Sequence, residues 1–365
     1  MADYHKRREV LLRTLKKRKL PGMLVTDDMN VTYLTGFTGD STFLLLTPEK
    51  ALLISDPRYT TQIEEECPDV EATIRSTSNV PMKTAVAEAV RSSKLRSLAF
   101  EADHLSTATH AEYAAALEGV ELTPTSGIVV EQRAVKDADE LAEIRVAIDL
   151  AERSFRAVTA ALRGDMTEAQ AAAEMEYRIR MLGGRGFAFD PIVGVGPRSA
   201  LPHGRAGETR FEESTFCLFD WGARKTLYRS DITRLVVYGK LPAKIEKIYA
   251  IVLEAQRLAI EKIGPGVSTR EVDSVARKHI ADAGYEKKFG HGLGHGIGIA
   301  IHEQPRFSAL TDTTLAPGMV VTVEPGIYLP GVGGVRIEDD VLVTAKGAEV
   351  LTSLPRDLDA CVVSL

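Results

Sequence analysis

Four acidic side chains and one imidazole fall between Phe216 and Asp340 at places where an apolar β-strand cannot bury them without a positive partner. They are Asp220 in FCLFDWG, Asp231 in RSDITR, His295 in GHGLGHGIG, Glu324 in VVTVEPG and Glu338 in GVRIEDD. Three of the four carboxylates follow or interrupt runs of Val, Ile, Leu and Phe that read as core strands. A buried, unpaired carboxylate is strongly destabilising, so the chain must supply compensation. Two divalent cations balance four carboxylates and also accept a neutral imidazole. The pattern reads as a two-metal hydrolase site.

Spacing suggests how the acids meet. Asp220 and Asp231 are eleven residues apart, and the intervening Gly222 with the flanking FCLFD and ITRLVV runs argues for a β-hairpin rather than a helix. Thr233 lies two residues beyond Asp231, on the same strand face, where it can orient a ligand carboxylate. Glu324 and Glu338 are fourteen apart across a loop rich in glycine, which suggests a second hairpin. Histidines 291, 295 and 302 share one segment, and the glycines at 290, 292, 294, 296 and 298 there permit close approach of backbone to an ion or ligand. The segment lacks the strand–loop–helix setting of a phosphate-binding loop. Oxygen ligands with one imidazole and no thiolate suit Mn, Co, Fe or Zn. Two such ions roughly 3.5 Å apart can share one water and lower its pKa. Proton transfer then falls to groups outside the ligand set, and His203, His291 and His302 are the available ones.

The remainder of the chain sets the frame. Its 365 residues suffice for two cores. A net charge of -6, with KKRK at 16–19 placed at a helix end, gives no footing for nucleic acid. MADYHKRREV is too polar for a signal peptide and no apolar run reaches transmembrane length, so we expect a cytoplasmic protein without membrane contact. Cys67, Cys217 and Cys361 have no paired spacing and read as free thiols. Over residues 1–125, helices near 3–19, 57–66, 81–93 and 106–117 alternate with the strands PGMLVT, TFLLLT, KALLIS, LRSLAFE and GVELTP, which predicts an α/β domain with a mixed sheet. Farther on, a long helix over about 137–162 leads to GDMTEAQAAAEMEYRIRMLGG, and another over about 242–263 leads to GVSTREVDSVARKHIADAG. Each second segment opens with a Ser/Thr cap, ends on Gly and precedes β-prone sequence. Duplicated helix–helix–strand halves would put the sheets together and the helices outside.

Five blocks, FDPIVGVGPRSALPHGR, DWGARKTLYRSDITR, GHGLGHGIGIAIHE, VEPGIY and GVRIEDD, occur in the order found in one family. Through them the chain resembles the pita-bread metallopeptidases, which include methionine aminopeptidase, aminopeptidase P and prolidase. The resemblance implies an α/β two-domain protein, with a creatinase/prolidase-like N-terminal domain over 1–128 and a pita-bread α+β catalytic domain over 129–365. It implies Asp220, Asp231, His295, Glu324 and Glu338 as ligands of two divalent ions per subunit, with manganese the first choice and Co, Zn or Fe the others. Glu324 matches a proton shuttle, and His203, His291 and His302 match histidines about the scissile carbonyl. Trp221 with Arg224 and Lys225 makes the loop after Asp220 bulkier and more basic than is usual there, which suggests an altered cleft.

The N-terminal domain, absent from methionine aminopeptidases, implies Xaa-Pro substrates. A bond before proline lacks the N–H by which most peptidases grip a peptide. A cleft can compensate by holding the ring, for instance against Phe189, and the carboxylate, through Arg306 or Arg336. The expected activity is Xaa-Pro dipeptidase, with a water shared by the metals attacking the scissile carbonyl. Two alternatives stay open: an Xaa-Pro aminopeptidase acting on longer peptides, and a metal-dependent lyase or hydrolase of a small non-peptide. A homodimer is also implied by the resemblance.

Overall fold

A computed structural model describes residues 3–76 and 79–365. The chain parts into two compact units, one ending at Arg133 and the other beginning at Ala134. This break falls at the end of the helix Ile128–Ala134 and the proposed division at 128/129 at its start; the β-branched opening IVV disguises the helix as loop or strand. Among the described residues no helix is long and apolar enough to cross a membrane.

The first unit carries a six-stranded mixed sheet ordered Glu71–Ile74, Ala51–Ser55, Phe43–Leu46, Met23–Val25, Ser97–Glu101, Glu121–Thr125. The outer pairs and the Met23–Val25/Ser97–Glu101 pair are parallel, and the two pairs made by Phe43–Leu46 are antiparallel. All five expected strands are present. The edge strand Glu71–Ile74 escapes sequence reading because three of its four residues are exposed. The helix Asp28–Thr35 escapes it through its Val and Thr content. The Asp27 side chain caps its start and Gly36, at φ 85°, ends it. Cys67 in this unit, and Cys217 and Cys361 in the other, are buried free thiols.

The second unit repeats one motif twice. Helices Ala138–Thr159 and Glu168–Met181 precede the antiparallel strands Ile192–Val195, Phe216–Trp221 and Ile232–Val237. Helices Ala243–Lys262 and Thr269–Asp282 precede a five-stranded sheet ordered Glu303–Phe307, Gly294–Gly296, Val320–Val323, Asp339–Val343, Ala348–Val350. Asp137, Thr167 and Ser268 cap their helices through side-chain oxygens, as their positions predict. Ile245, Ile248, Tyr249, Val252, Ala255 and Ala259 mark one helical face, and Val272, Ala276 and Ile280 another. These residues bury against Leu218, Leu235, Val321, Val323, Val341 and Val343 from the strands. Each fully buried large aliphatic stabilises by about 1.5–3 kcal/mol.

The apolar strand faces fix the position of the polar ones. Strand pairing sets Asp220 opposite Thr233, so alternation turns Arg234 to the other side. There the guanidinium of Arg234, 2 % exposed, pairs with Asp339 at 2.6 Å and donates to the carbonyls of Glu338, Leu354 and Pro355. The carbonyl of Glu338 is thus clamped from behind. A single bridge between Thr233 and Glu338 joins the three-stranded sheet to the strands of the second half.

Gly222 has a stringent steric reason: a Cβ there would stand 1.8 Å from the carbonyl oxygen of Ser230. We therefore expect Gly222→Ala to force the Asp220/Asp231 hairpin apart, destabilising by about 1–3 kcal/mol. The melting temperature of purified protein, followed by circular dichroism, should fall by about 3–10 °C. An unchanged melting curve would show that the two strands are not packed this closely.

Candidate metal centre

Asp220 and Asp231 arise from one hairpin, Phe216–Trp221 against Ile232–Val237, as expected. Glu324 and Glu338 arise from a more complex ribbon. Its base, Val320–Val323 with Asp339–Val343, belongs to the five-stranded sheet, while its tip, Gly326–Leu329 with Gly333–Arg336, forms a separate pair. Both glutamates lie where the ribbon leaves the sheet, between Val323↔Asp339 and Gly326↔Arg336. His295 comes from the short strand Gly294–Gly296. The glycines of this segment serve the strands more than a ligand: a Cβ at Gly294 would meet the Thr322 carbonyl oxygen at 2.0 Å. Backbone closeness to its neighbours, rather than to an ion, is what that position requires.

One ligand atom each from Asp231, His295 and Glu338 lie mutually within 4.8 Å, and all three residues are buried. His295 Nε2 is 3.6 Å from Asp231 Oδ2 and 3.5 Å from Glu324 Oε1. Its Nδ1 is 3.0 Å from the Gly296 carbonyl oxygen, which can only accept, so the proton resides on Nδ1. The Nε2 lone pair therefore faces carboxylate lone pairs. Burial, reinforced by His302 and Arg306, pushes the imidazole pKa down to about 3, so protonation does not relieve the opposition. Metal–ligand bonds of about 2.0–2.2 Å put adjacent donor atoms roughly 3–3.5 Å apart, which these separations match.

The carboxylates show the same need. Asp220 Oδ1 and Asp231 Oδ1 are buried without a hydrogen-bond partner. Burial, compounded by the neighbouring acids, raises Asp231 and Glu338 well above the usual carboxylate range. Asp220 is raised by burial and partly relieved by Arg336. Burial lifts Glu324 to about 8, with Arg336 opposing and Asp220 adding to the rise. Other residues hold the acids in place. The Thr233 hydroxyl donates to Glu338 Oε2 at 2.5 Å, the orienting role its spacing suggested. Thr322 accepts from the His295 amide at 3.0 Å and donates to Glu324 Oε1 at 3.2 Å. Asp340 accepts from the Asp231 amide at 3.1 Å. Neither was singled out from sequence: Asp340 stands in the strand Asp339–Val343 beside Glu338, and Thr322 carries no signal beyond its apolar run.

A cavity of about 670 Å³ opens onto these groups, and Phe189, His203, His291, His302, Arg306 and Arg336 all line it. Three expectations change there. Arg336 is 3 % exposed and its guanidinium is committed, pairing with Asp220 and donating to Thr233 Oγ1 at 3.1 Å and the Tyr328 hydroxyl at 2.7 Å. It offsets the acids, and each of its three nitrogens already has a partner. His291 has both ring nitrogens engaged: Nδ1 donates to the Gly292 carbonyl at 2.7 Å, and Nε2 accepts from the Tyr328 hydroxyl at 2.8 Å. Its ring orients Tyr328 rather than presenting a free nitrogen to the cavity, and Tyr328 was not singled out from sequence. Trp221 turns away from the cavity, fully buried, stacked on Phe155 at 4.3 Å with Nε1 donating to the Ala151 carbonyl. Its bulk fills core, and the Lys225 ammonium donates to the Gly183 carbonyl at 2.9 Å.

Arg306 differs from Arg336. It is exposed, and its guanidinium makes no ion pair or hydrogen bond among the described residues, although its carbonyl accepts from the Thr311 hydroxyl at 2.7 Å. The ladder sets it directly opposite His295, and cross-strand partners project to the same sheet face. His302 is also exposed, its ring edge-on to that of His295 with centroids 4.4 Å apart.

Comparison with known proteins agrees with this geometry. Residues 142–345 match Metallopeptidase family M24, and residues 7–135 match the Creatinase/Prolidase N-terminal domain. The Xaa-Pro dipeptidase of Pyrococcus horikoshii is 36 % identical over 352 residues, covering 95 % of this chain and 97 % of that protein. The structure of an Xaa-Pro dipeptidase from Bacillus anthracis superposes with a TM-score of 0.93 at 36 % identity, covering 100 % of both chains. An X-Pro aminopeptidase from Thermotoga maritima gives 0.89, also at 36 % identity, over 98 % of this chain and 100 % of its own. The chain belongs to metallopeptidase family M24, with the pita-bread fold and a creatinase/prolidase-type N-terminal domain.

Proposed function

We propose that this protein hydrolyses Xaa-Pro dipeptides, using two divalent ions held by Asp220, Asp231, His295, Glu324 and Glu338. The observation that carries the dipeptide reading is Arg306, an unpaired guanidinium in the cavity wall, in register with His295. A dipeptide has its C-terminal carboxylate one residue from the scissile bond, within the reach of a group beside the metal ligands. Similar proteins named as a dipeptidase and as an aminopeptidase share the same identity with this chain, so its own residues must make the choice.

When bound, the cations activate a water and polarise the scissile carbonyl. The chain's residues supply the rest. Phe189, Ile192 and Pro202 offer the proline ring an apolar wall. His203 and His302, both exposed to the cavity, donate to the carbonyl oxygen as it gains charge. Glu324, whose carboxylate Thr322 orients, takes the proton released by the attacking water and passes it to the proline nitrogen. That nitrogen leaves as an amine and needs this proton. Tyr328, held between Arg336 and His291, keeps Arg336 turned toward Asp220. We further propose manganese as the working metal, which the oxygen-rich ligand set supports. We also propose a cytoplasmic homodimer without nucleic-acid or membrane partners, a reading that the resemblance supports.

Hydrolysis of Ala-Pro and of Ala-Pro-Ala, in stripped protein resupplied with Mn²⁺, tests the substrate. We expect cleavage of Ala-Pro and little of the tripeptide. Arg306→Ala should lower kcat/KM for Ala-Pro by about 10–100-fold, the equivalent of a charge-assisted contact. Preferential cleavage of the tripeptide, insensitive to Arg306, would establish the aminopeptidase reading instead.

Stripped protein should also respond to pH in a defined direction. Glu324 has a folded pKa of about 8 against an ordinary 4.5, so the folded state holds more protons between those values. Stability is then full below about pH 4.5 and declines as pH rises toward 8. Differential scanning calorimetry should show the stripped protein melting lower at pH 8 than at pH 5, and Mn²⁺ raising the melting point more at pH 8. At pH 8 without metal, Asp231→Asn should melt above the wild type, because it removes a buried acid whose ionisation the burial and the neighbouring acids oppose. Loss of stability in Asp231→Asn under those conditions would contradict the electrostatic reading.

A further inference from the structure

We infer that Glu168, remote from every ligand and substrate group named above, is a positioning residue that holds His203 in the cavity wall. The inference rests on the proposed peptidase reading, because the effect on catalysis passes through His203. Residues 196–215 join strands Ile192–Val195 and Phe216–Trp221 and contain only two short 3₁₀ turns. Pro202, His203, Gly204 and Arg205 from this segment form part of the cavity lining. A segment with so little regular structure keeps a catalytic side chain in place only if something outside it supplies anchors.

Glu168 supplies them. It opens helix Glu168–Met181, with a side chain 0 % exposed. Oε1 accepts from the Val195 amide at 2.8 Å, and Oε2 accepts from the Gly207 amide at 2.8 Å. Arg198 Nε stands 2.9 Å from each oxygen, and Arg198 Nη2 donates onward to the Arg205 carbonyl at 2.7 Å. One carboxylate therefore fastens the chain on both sides of His203, at Val195 and at Gly207, and its Arg198 partner fastens a third point two residues from that histidine. The backbone around it follows suit: the amides of Glu168 and Ala169 donate to the carbonyls of Thr209 and Gly207. Helix capping does not account for the residue, since Thr167 and Gln170 already form the capping box. Nor does Gln suffice in its place. With one oxygen only, its NH₂ would face either an amide N–H or the Arg198 guanidinium, donor against donor.

The test combines an activity-independent reading with a kinetic one on the full-length, Mn²⁺-loaded protein. In limited trypsin digestion, Glu168→Gln should be cut after Arg205 about tenfold faster than wild type, as a loosened segment opens locally. This outcome is readable even if no Xaa-Pro peptide proves to be a substrate, so the two readings fail separately. Against Ala-Pro, Glu168→Gln should lower kcat/KM by about 10–100-fold, the scale of an ångström-sized misplacement. In a His203→Ala background the same substitution should change kcat/KM by less than about twofold, because the route of the effect is already gone. Arg198→Ala, which leaves the buried carboxylate two of its donors, gives the same pair of readings should Glu168→Gln fold poorly. An unchanged rate of cutting after Arg205, or equal losses with and without His203, overturns the inference.

Discussion

Like-charged oxygens, brought together out of water, are the constraint to which the second unit is built. Asp231, Glu338 and His295 converge within 4.8 Å, and the lone pair of His295 Nε2 faces oxygens of Asp231 and Glu324. Left to itself such a cluster repels. Among the described residues one buried cation faces it directly, Arg336, which pairs with Asp220. The remaining acids, with orphaned oxygens on Asp220 and Asp231, call for positive charge that no described side chain provides. Divalent ions satisfy that demand, and membership of metallopeptidase family M24 supplies the independent reason to place them there.

Holding repelling groups together requires rigidity from behind. Each half of the second unit contributes a pair of strands whose inner face is aliphatic and packed on helices, so the acids ride on structure stabilised elsewhere. Arg234, facing away from the site, pins the Glu338 carbonyl and Asp339, while Thr233 on the opposite face pins the Glu338 carboxylate. Adjacent residues of one strand thus grip one acid from two sides. The cavity wall is less regular and depends on single anchors, of which Glu168 is the most fully engaged.

Much of this was legible in the sequence because acids inside apolar runs are costly and therefore informative. The Asp220/Asp231 hairpin, the capped helices and the mixed sheet all follow from local pattern. Other features follow from tertiary partners that no local pattern reveals. Arg336 looked like a carboxylate binder until its neighbours were known; its partner Asp220 lies more than a hundred residues away. Trp221 looked like bulk in the cleft, yet strand alternation sends it to Phe155, opposite in direction to Asp220. The second pair of acids sits at a change of sheet, beside Pro325, rather than within one hairpin. Glu168, in a helix rich in alanine, had the appearance of an ordinary first-turn acid.

The most direct test of the central claim counts the ions. Protein stripped with a chelator, resupplied with excess Mn²⁺ and freed of unbound metal by gel filtration can be analysed by inductively coupled plasma mass spectrometry. Wild type should retain about two ions per chain, and Glu338→Gln, which neutralises the most buried of the five proposed ligands, should retain fewer at the same free metal concentration. Wild type that retains no metal, or a Glu338→Gln protein that retains as much as wild type, would contradict the assignment of these carboxylates to cations.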